Sequence, residues 1–308
     1  MPLHETLSQD GATLDILTDE ERGLRITINR AGAELISLAR RDARGEWQGF
    51  LYRDGVLAAP ESGWGNHATV MGYFLHRLWE EKSLYRGKLI TGGNHGFLRH
   101  FDFDAPVVEG GSLTYHVTAD RVPADAYPLK VSLALAYSLG ERGLRVEFAF
   151  TNHEPELDAH VSFGLHPGFG VTSVEEARLL LPAGDYVRHM APGNFLNGEL
   201  ETIFHPGGES PFPKADLPGS YILGLSGVPH REFILEDTAA HRRVRLDFSE
   251  VPYLTLWSDL HPYFCVEPCW GLPDSNPPTA FEDKPGIQII PPGETLRRGF
   301  GLNPEFLL

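Results

Sequence analysis

The chain has little cysteine, no long apolar run and no cluster of positive charge. Of its 308 residues only Cys265 and Cys269 are cysteines. On an extended strand, residues four apart lie roughly 13 Å from each other, too far for a disulfide, so only a sharp bend at Pro268 would join them. Two free thiols suit a reducing compartment. No apolar stretch approaches the length that spans a bilayer, and the opening MPLHETLSQDG has neither the basic start nor the apolar run of a secretory signal. The expectation is a cytoplasmic protein with no membrane partner. The formal net charge is -16. Phosphate-binding surfaces need clustered Lys and Arg, and the densest basic stretch, His241-Arg242-Arg243 with Arg245, alternates with apolar residues like a strand face. A nucleic-acid partner is therefore not expected. A multiply charged anionic substrate is disfavoured, unless local arginines override the global field.

Familiar catalytic patterns are also missing. There is no G-x-S-x-G elbow, no H-E-x-x-H, and no Walker or dinucleotide glycine signature. The histidines include no H-x-H pair, and Cys265-x3-Cys269 has no neighbouring second pair to complete a zinc site. The one metal arrangement left open by geometry combines His95, His166 and Glu267.

What the sequence does contain is period-two alternation. In LRITIN, Leu24, Ile26 and Ile28 share a face. KVSLALAYSL puts Val131, Leu133, Leu135 and Tyr137 on one side, and LRVEFAFTN places Leu144, Val146, Phe148 and Phe150 inward. SLTYHVTA, RRVRLDF and YLTLW follow the same rule. Turn dipeptides such as Asp54-Gly55, Gly110-Gly111 and Asn197-Gly198 punctuate these runs. Many short strands so spaced predict an all-β sandwich or barrel. AGAELISLARRD and SVEEARLLL have helix-forming composition and predict two short helices, although tertiary pairing can override composition. No repeat or linker divides the chain, so residues 1–308 read as one domain. The Pro/Gly-rich spacers at 191–219 and 271–293 read as long functional loops.

Polar chemistry concentrates in four segments. TGGNHGFLRHFDF surrounds His95 with glycines and Asn94, and supplies Arg99 four residues on; glycine lets a ligand approach the main chain. SFGLHPGFG holds His166 ahead of a stiffening proline. HPYFCVEPCWG buries Glu267 between apolar residues, costly without a partner. HATVMGYFLHRLWEE carries His76-Arg77. Each has a plain structural alternative: a turn histidine, a satisfied strand-end histidine, an ion-paired glutamate and a surface arginine.

In order, HGFLRHFDF, SFGLHPGF, CVEPCWGLPDSNP and GIQIIPPGETLRRGF resemble the aldose 1-epimerase (galactose mutarotase-like) family, in particular its hexose mutarotase and hexose-6-phosphate 1-epimerase-like branch. The resemblance runs from about Glu34 to the C-terminus and thins between 171 and 250. It implies a large antiparallel β-supersandwich with few short helices and a sugar cleft on one face. It implies His166 as general acid, Glu267 as general base and His95 as a second histidine contacting the sugar. Arg99 and Arg77 match substrate-side arginines, with Asn94 beside them. The family's sugar-orienting aspartate has no clear counterpart, and Asp259 and Asp274 both stay open. Trp270, Phe97 and Phe169 are candidates to cover the apolar face of a sugar, with core packing as the alternative for each.

The implied reaction is interconversion of α and β anomers of a hexose by proton transfer, ring opening and reclosure. A carboxylate and an imidazole on opposite sides of the ring would run it, with no cofactor or metal called for. Hexose 6-phosphate as substrate, and a non-catalytic carbohydrate-binding protein on the same fold, stay open, as do monomer and homodimer.

Overall fold

The computed structural model describes residues 2–307. Every ladder between its strands is antiparallel. The first five strands, Leu3–Gln9, Ala12–Asp19, Leu24–Asn29, Glu34–Arg41 and Trp47–Gly49, form a five-stranded sheet in sequence order. Two larger sheets follow, of nine and seven strands, and their order departs from sequence order. Val131–Gly140, Gly143–Asn152 and Thr295–Phe306 are successive neighbours inside the nine-stranded sheet. The seven-stranded sheet contains Ala68–Met71, Phe163–Gly170, Tyr263–Trp270, Tyr253–Trp257 and Tyr221–Gly227 as successive neighbours.

The two large sheets bury their apolar faces against each other. Phe148 and Phe150 of one meet Phe163 of the other at centroid distances of 5.1 and 4.7 Å. The Val131–Gly140 strand alternates strictly between buried and partly exposed positions, as its sequence requires. Tyr263–Trp270 is buried on both faces throughout, because the core covers one side and the cleft loops the other. No helix among the described residues is long and apolar enough to cross a membrane.

Neither predicted helix forms. AGAELISLARRD contains the strand Glu34–Arg41, which pairs with Leu24–Asn29 and Trp47–Gly49. Its Leu35, Ile36 and Leu38 are all buried, a burial on both faces that an isolated helix cannot supply. In SVEEARLLL, Arg178–Leu181 is a strand pairing with Glu232–Asp237. Sheet pairing outweighs local propensity in both. Helical turns among the described residues are confined to five 3-10 segments of at most six residues.

Candidate active site

One transverse row of the seven-stranded sheet forms the floor of a cleft of about 320 Å3, within the roughly 300–1,000 Å3 range of small-molecule sites. Thr69 lies opposite His166, and Thr255 lies opposite Glu267. The pairs Gly164–Cys269 and Gly168–Cys265 on either side set His166 opposite Glu267. Ile222 stands beyond Thr255. All five side chains line the cleft. Between His166 and Glu267 the ladder is interrupted where Pro167 and Pro268 supply no N–H donor.

His166 Nε2 stands 3.4 Å from Glu267 Oε1, in contact but short of a well-formed hydrogen bond. His166 Nδ1 and Glu267 Oε2 are buried and have no partner. Burial pushes the Glu267 carboxyl well above its usual range. Burial, reinforced by the His76 and Arg99 charges, pushes the His166 imidazole down to about 3. Both shifts favour the uncharged forms, a carboxylic acid for Glu267 and a neutral imidazole for His166. The two groups stand side by side on adjacent strands rather than on opposite sides of a ligand.

Loops from the opposite direction complete the cleft. His76 and His95 both adopt left-handed backbone, with φ of 54° and 66°, uncommon for such residues. Their main chains interlock. The His95 N–H donates to the His76 carbonyl at 2.7 Å, and the His76 N–H donates to His95 Nδ1 at 3.2 Å. Because Nδ1 accepts, neutral His95 carries its proton on Nε2. Gly96 makes the interlock possible: at φ 72°, a Cβ here would collide with the Gly72 carbonyl oxygen. His95 meets His166 edge-on at 5.3 Å. Arg99 and Asn94 follow the same loop into the cleft, and Arg77 follows His76. Burial lowers the Arg99 pKa. With the Asn66 amide oriented to satisfy its neighbours, its oxygen accepts from Arg99 Nη2 at 3.3 Å and Trp64 Nε1 at 3.0 Å.

The cleft aromatics are Trp64 and Trp257. Trp64 stacks on His166 at 4.7 Å, and Trp257 meets that imidazole edge-on at 5.6 Å. Space for Trp64 exists because residue 168 is glycine; a Cβ there would strike the indole. Trp270 lies elsewhere, stacked on Phe163 at 5.2 Å between the sheets, its Nε1 donating to the Glu250 carbonyl. Phe169 is core as well, and Phe97 packs against the core. Strand parity explains Trp270 and Phe169: each is an odd number of residues from the cleft-facing Glu267 or His166, and so points to the other face.

Neither candidate aspartate lines the cleft. Asp259 closes its own turn, accepting from the His261 backbone N–H at 3.0 Å and His261 Nδ1 at 2.9 Å. Asp274 is fully buried. It accepts from the Trp79 and Ser275 backbone N–H groups, both at 3.0 Å, and faces Lys284 Nζ at 3.5 Å. Glu267 is thus the sole carboxylate lining the cleft among the described residues. Of the residues marked in the sequence, the cleft gathers His95, His166, Glu267, Asn94, Arg99 and Arg77. Trp64, Asn66, Thr69, Thr255 and Trp257 were not marked, although the alternation in YLTLW already sets Thr255 and Trp257 on one face.

Among proteins of known kind, Protein LacX of Lactococcus lactis subsp. lactis, in plasmid and chromosomal forms, is 25% identical over 295 residues, covering 91% of this chain and 96% of the relative. A galactose mutarotase-like protein from Lactobacillus casei superposes with a TM-score of 0.80 at 22% identity, covering 98% of this chain and 100% of that one. A galactose 1-epimerase from Lactobacillus acidophilus superposes with a TM-score of 0.70 at 14% identity, covering both chains completely. At such identities the two structures establish the galactose mutarotase-like β-sandwich fold. The aldose 1-epimerase family model matches residues 91–302, more than half of the sequence, and the chain belongs to the aldose 1-epimerase family.

Proposed function

We propose that this chain is an aldose 1-epimerase acting on a hexose without a cofactor, with Glu267 and His166 as its proton-transfer pair and His95 as a fixed donor. The observation that carries this reading is the 3.4 Å approach of His166 Nε2 to Glu267 Oε1 on the cleft floor, with one free polar atom left on each group. Transfer of the shared proton from Glu267 to His166 gives a carboxylate and an imidazolium. The carboxylate then takes the proton from O1, the O1 electrons form the aldehyde carbonyl, and the C1–O5 bond breaks. The ring oxygen receives the imidazolium proton. Ring opening therefore discharges the buried ion pair and returns both groups to their neutral forms. After rotation about C1–C2, reclosure on the other face reverses each transfer. Every well-placed proton transfer contributes roughly 10²–10⁴-fold. His95, with Nε2 as donor, stabilises the negative charge that develops on a sugar oxygen.

Hexose 6-phosphate is the second reading, favoured by Arg77 and Arg99 entering a cleft in which Glu267 is the sole lining carboxylate among the described residues. The test is anomer relaxation of freshly dissolved α-glucose and α-glucose 6-phosphate, followed by polarimetry or NMR. Acceleration of the free sugar supports the first reading. Acceleration confined to the phosphate selects the second, and buffer rates for both refute catalysis.

A further inference from the structure

His166 lacks the tie that ordinarily orients a working imidazole. The nitrogen a histidine uses is set by the hydrogen bond made through its other nitrogen, as the His76 N–H does for His95. His166 Nε2 faces Glu267 at 3.4 Å, but its Nδ1 is buried with no partner among the described residues. The strand Phe163–Gly170 fixes its main chain, which leaves the side-chain torsions to be fixed by packing. Trp64 covers one face of the ring, with centroids 4.7 Å apart and planes 29° from parallel. Trp257 and His95 stand nearly perpendicular to it, at 5.6 and 5.3 Å.

Trp64 is partly exposed and lies outside the apolar core, so core filling does not explain it. It is nonetheless held from several sides. Tyr263 stacks on the indole at 5.4 Å, and Gly168 leaves the space that the indole occupies. Its Nε1 donates to the oriented Asn66 amide oxygen at 3.0 Å, and the same oxygen accepts from Arg99 Nη2 at 3.3 Å. The segment that carries it is anchored as well. Arg53 donates to the Val56 and Gly65 carbonyls at 3.1 and 2.9 Å, and the His67 N–H donates to Glu34 Oε1 at 2.8 Å. We propose that Trp64 is a positioning residue for His166, its clamped indole standing in for the missing hydrogen bond and holding Nε2 towards Glu267 and the cleft. The catalytic consequence rests on the epimerase reading above; the hold on the imidazole does not.

The experiment uses the full chain and three variants, Trp64→Leu, Trp64→Phe and Gly168→Ala. Gly168→Ala keeps the tryptophan but pushes the indole off the imidazole, because the added Cβ strikes it; it also serves if Trp64→Leu does not fold. The His166 ring protons are followed by NMR from pH 3 to 8, and kcat and KM for glucose anomer relaxation are measured over the same range where the protein is folded. In the wild type these protons should lie upfield, under the ring current of the stacked indole. In Trp64→Leu and Gly168→Ala they should move downfield. The imidazole should then titrate at higher pH, because burial is the main cause of its low pKa. The other titratable and charged groups facing it, Glu267, His95, His76 and Arg99, are unchanged in every variant. In both variants kcat should fall about 10–100-fold with KM little altered, and its acid limb should move to higher pH. Trp64→Phe, which keeps a ring on the imidazole, should recover part of kcat. A rise in KM with kcat intact would make Trp64 a wall against the sugar and overturn the proposal. So would His166 resonances unmoved in Trp64→Leu and Gly168→Ala, or no recovery in Trp64→Phe. Wild type that accelerates no sugar removes the epimerase reading, and the His166 spectrum alone then decides whether Trp64 holds the ring.

Discussion

The backbone N–H of His76 donates to the Nδ1 of His95 at 3.2 Å, and so fixes which nitrogen of His95 carries a proton. The donor is a left-handed residue locked by the reverse bond from the His95 N–H to its own carbonyl. The arrangement leaves His95 Nε2 as a donor.

His95→Gln places an amide N–H2 near the position of Nε2, whereas His95→Ala leaves no donor. The expected loss in kcat/KM is roughly 10–100-fold for alanine, the worth of a hydrogen bond to a charged group, and distinctly less for glutamine. Steady-state anomer relaxation measures both. Equal losses in the two variants would show that the fixed donor is not what His95 contributes.

Glu267 predicts a conflict between activity and stability. Burial raises its pKa in the folded chain well above the ordinary 4.5. Between pH 4.5 and the raised value the unfolded chain ionises this group and the folded chain does not, so the wild type loses stability as pH rises through that window. Glu267→Gln has no such loss. His166, depressed from 6.5 to about 3, contributes in the opposite sense: its contribution is present above pH 6.5 and lost as pH falls towards 3, in both proteins. The expected outcome is a higher Tm for Glu267→Gln than for wild type, with a larger difference at pH 8 than at pH 5. A difference that shrinks as pH rises would contradict the assignment.

Asp274 holds the structure together behind the cleft. It ties the Trp79 backbone, Ser275 and buried Lys284 behind the cleft wall. Burial pulls the Lys284 pKa down to about 8, against the pull of Asp274. Asp274→Asn leaves an uncompensated buried cation and should cost about 3–5 kcal/mol, read as a fall in Tm, with little change in KM. Adding Lys284→Met should restore much of the stability. A tenfold rise in KM with Tm intact would instead make Asp274 a sugar ligand.

The alternation in LRITIN, KVSLALAYSL and LRVEFAFTN made the sheets legible, because a half-buried strand must repeat every two residues. Glu34–Arg41 was not legible as a strand, since it is covered on both faces and so loses that repeat. In the cleft, His95, His166 and Glu267 stood out as polar groups in unusual backbone or apolar settings. Trp64 did not, because its place follows from a contact with Gly168 more than a hundred residues away. Trp270 was misplaced although parity from Glu267 already turns it to the opposite face. Asp259 and Asp274 were indistinguishable in sequence because their partners, His261 in one case and Lys284 with the Trp79 backbone in the other, appear only after folding.

The most direct measurement is the first-order relaxation constant of pure α-glucose with wild type, Glu267→Gln, His166→Asn and the double variant. If the two side chains work as one proton-transfer pair, each single variant loses at least about two orders of magnitude, and the double variant is scarcely worse than either single one. Losses that multiply in the double variant, or full activity in either single one, would contradict a shared proton between His166 and Glu267.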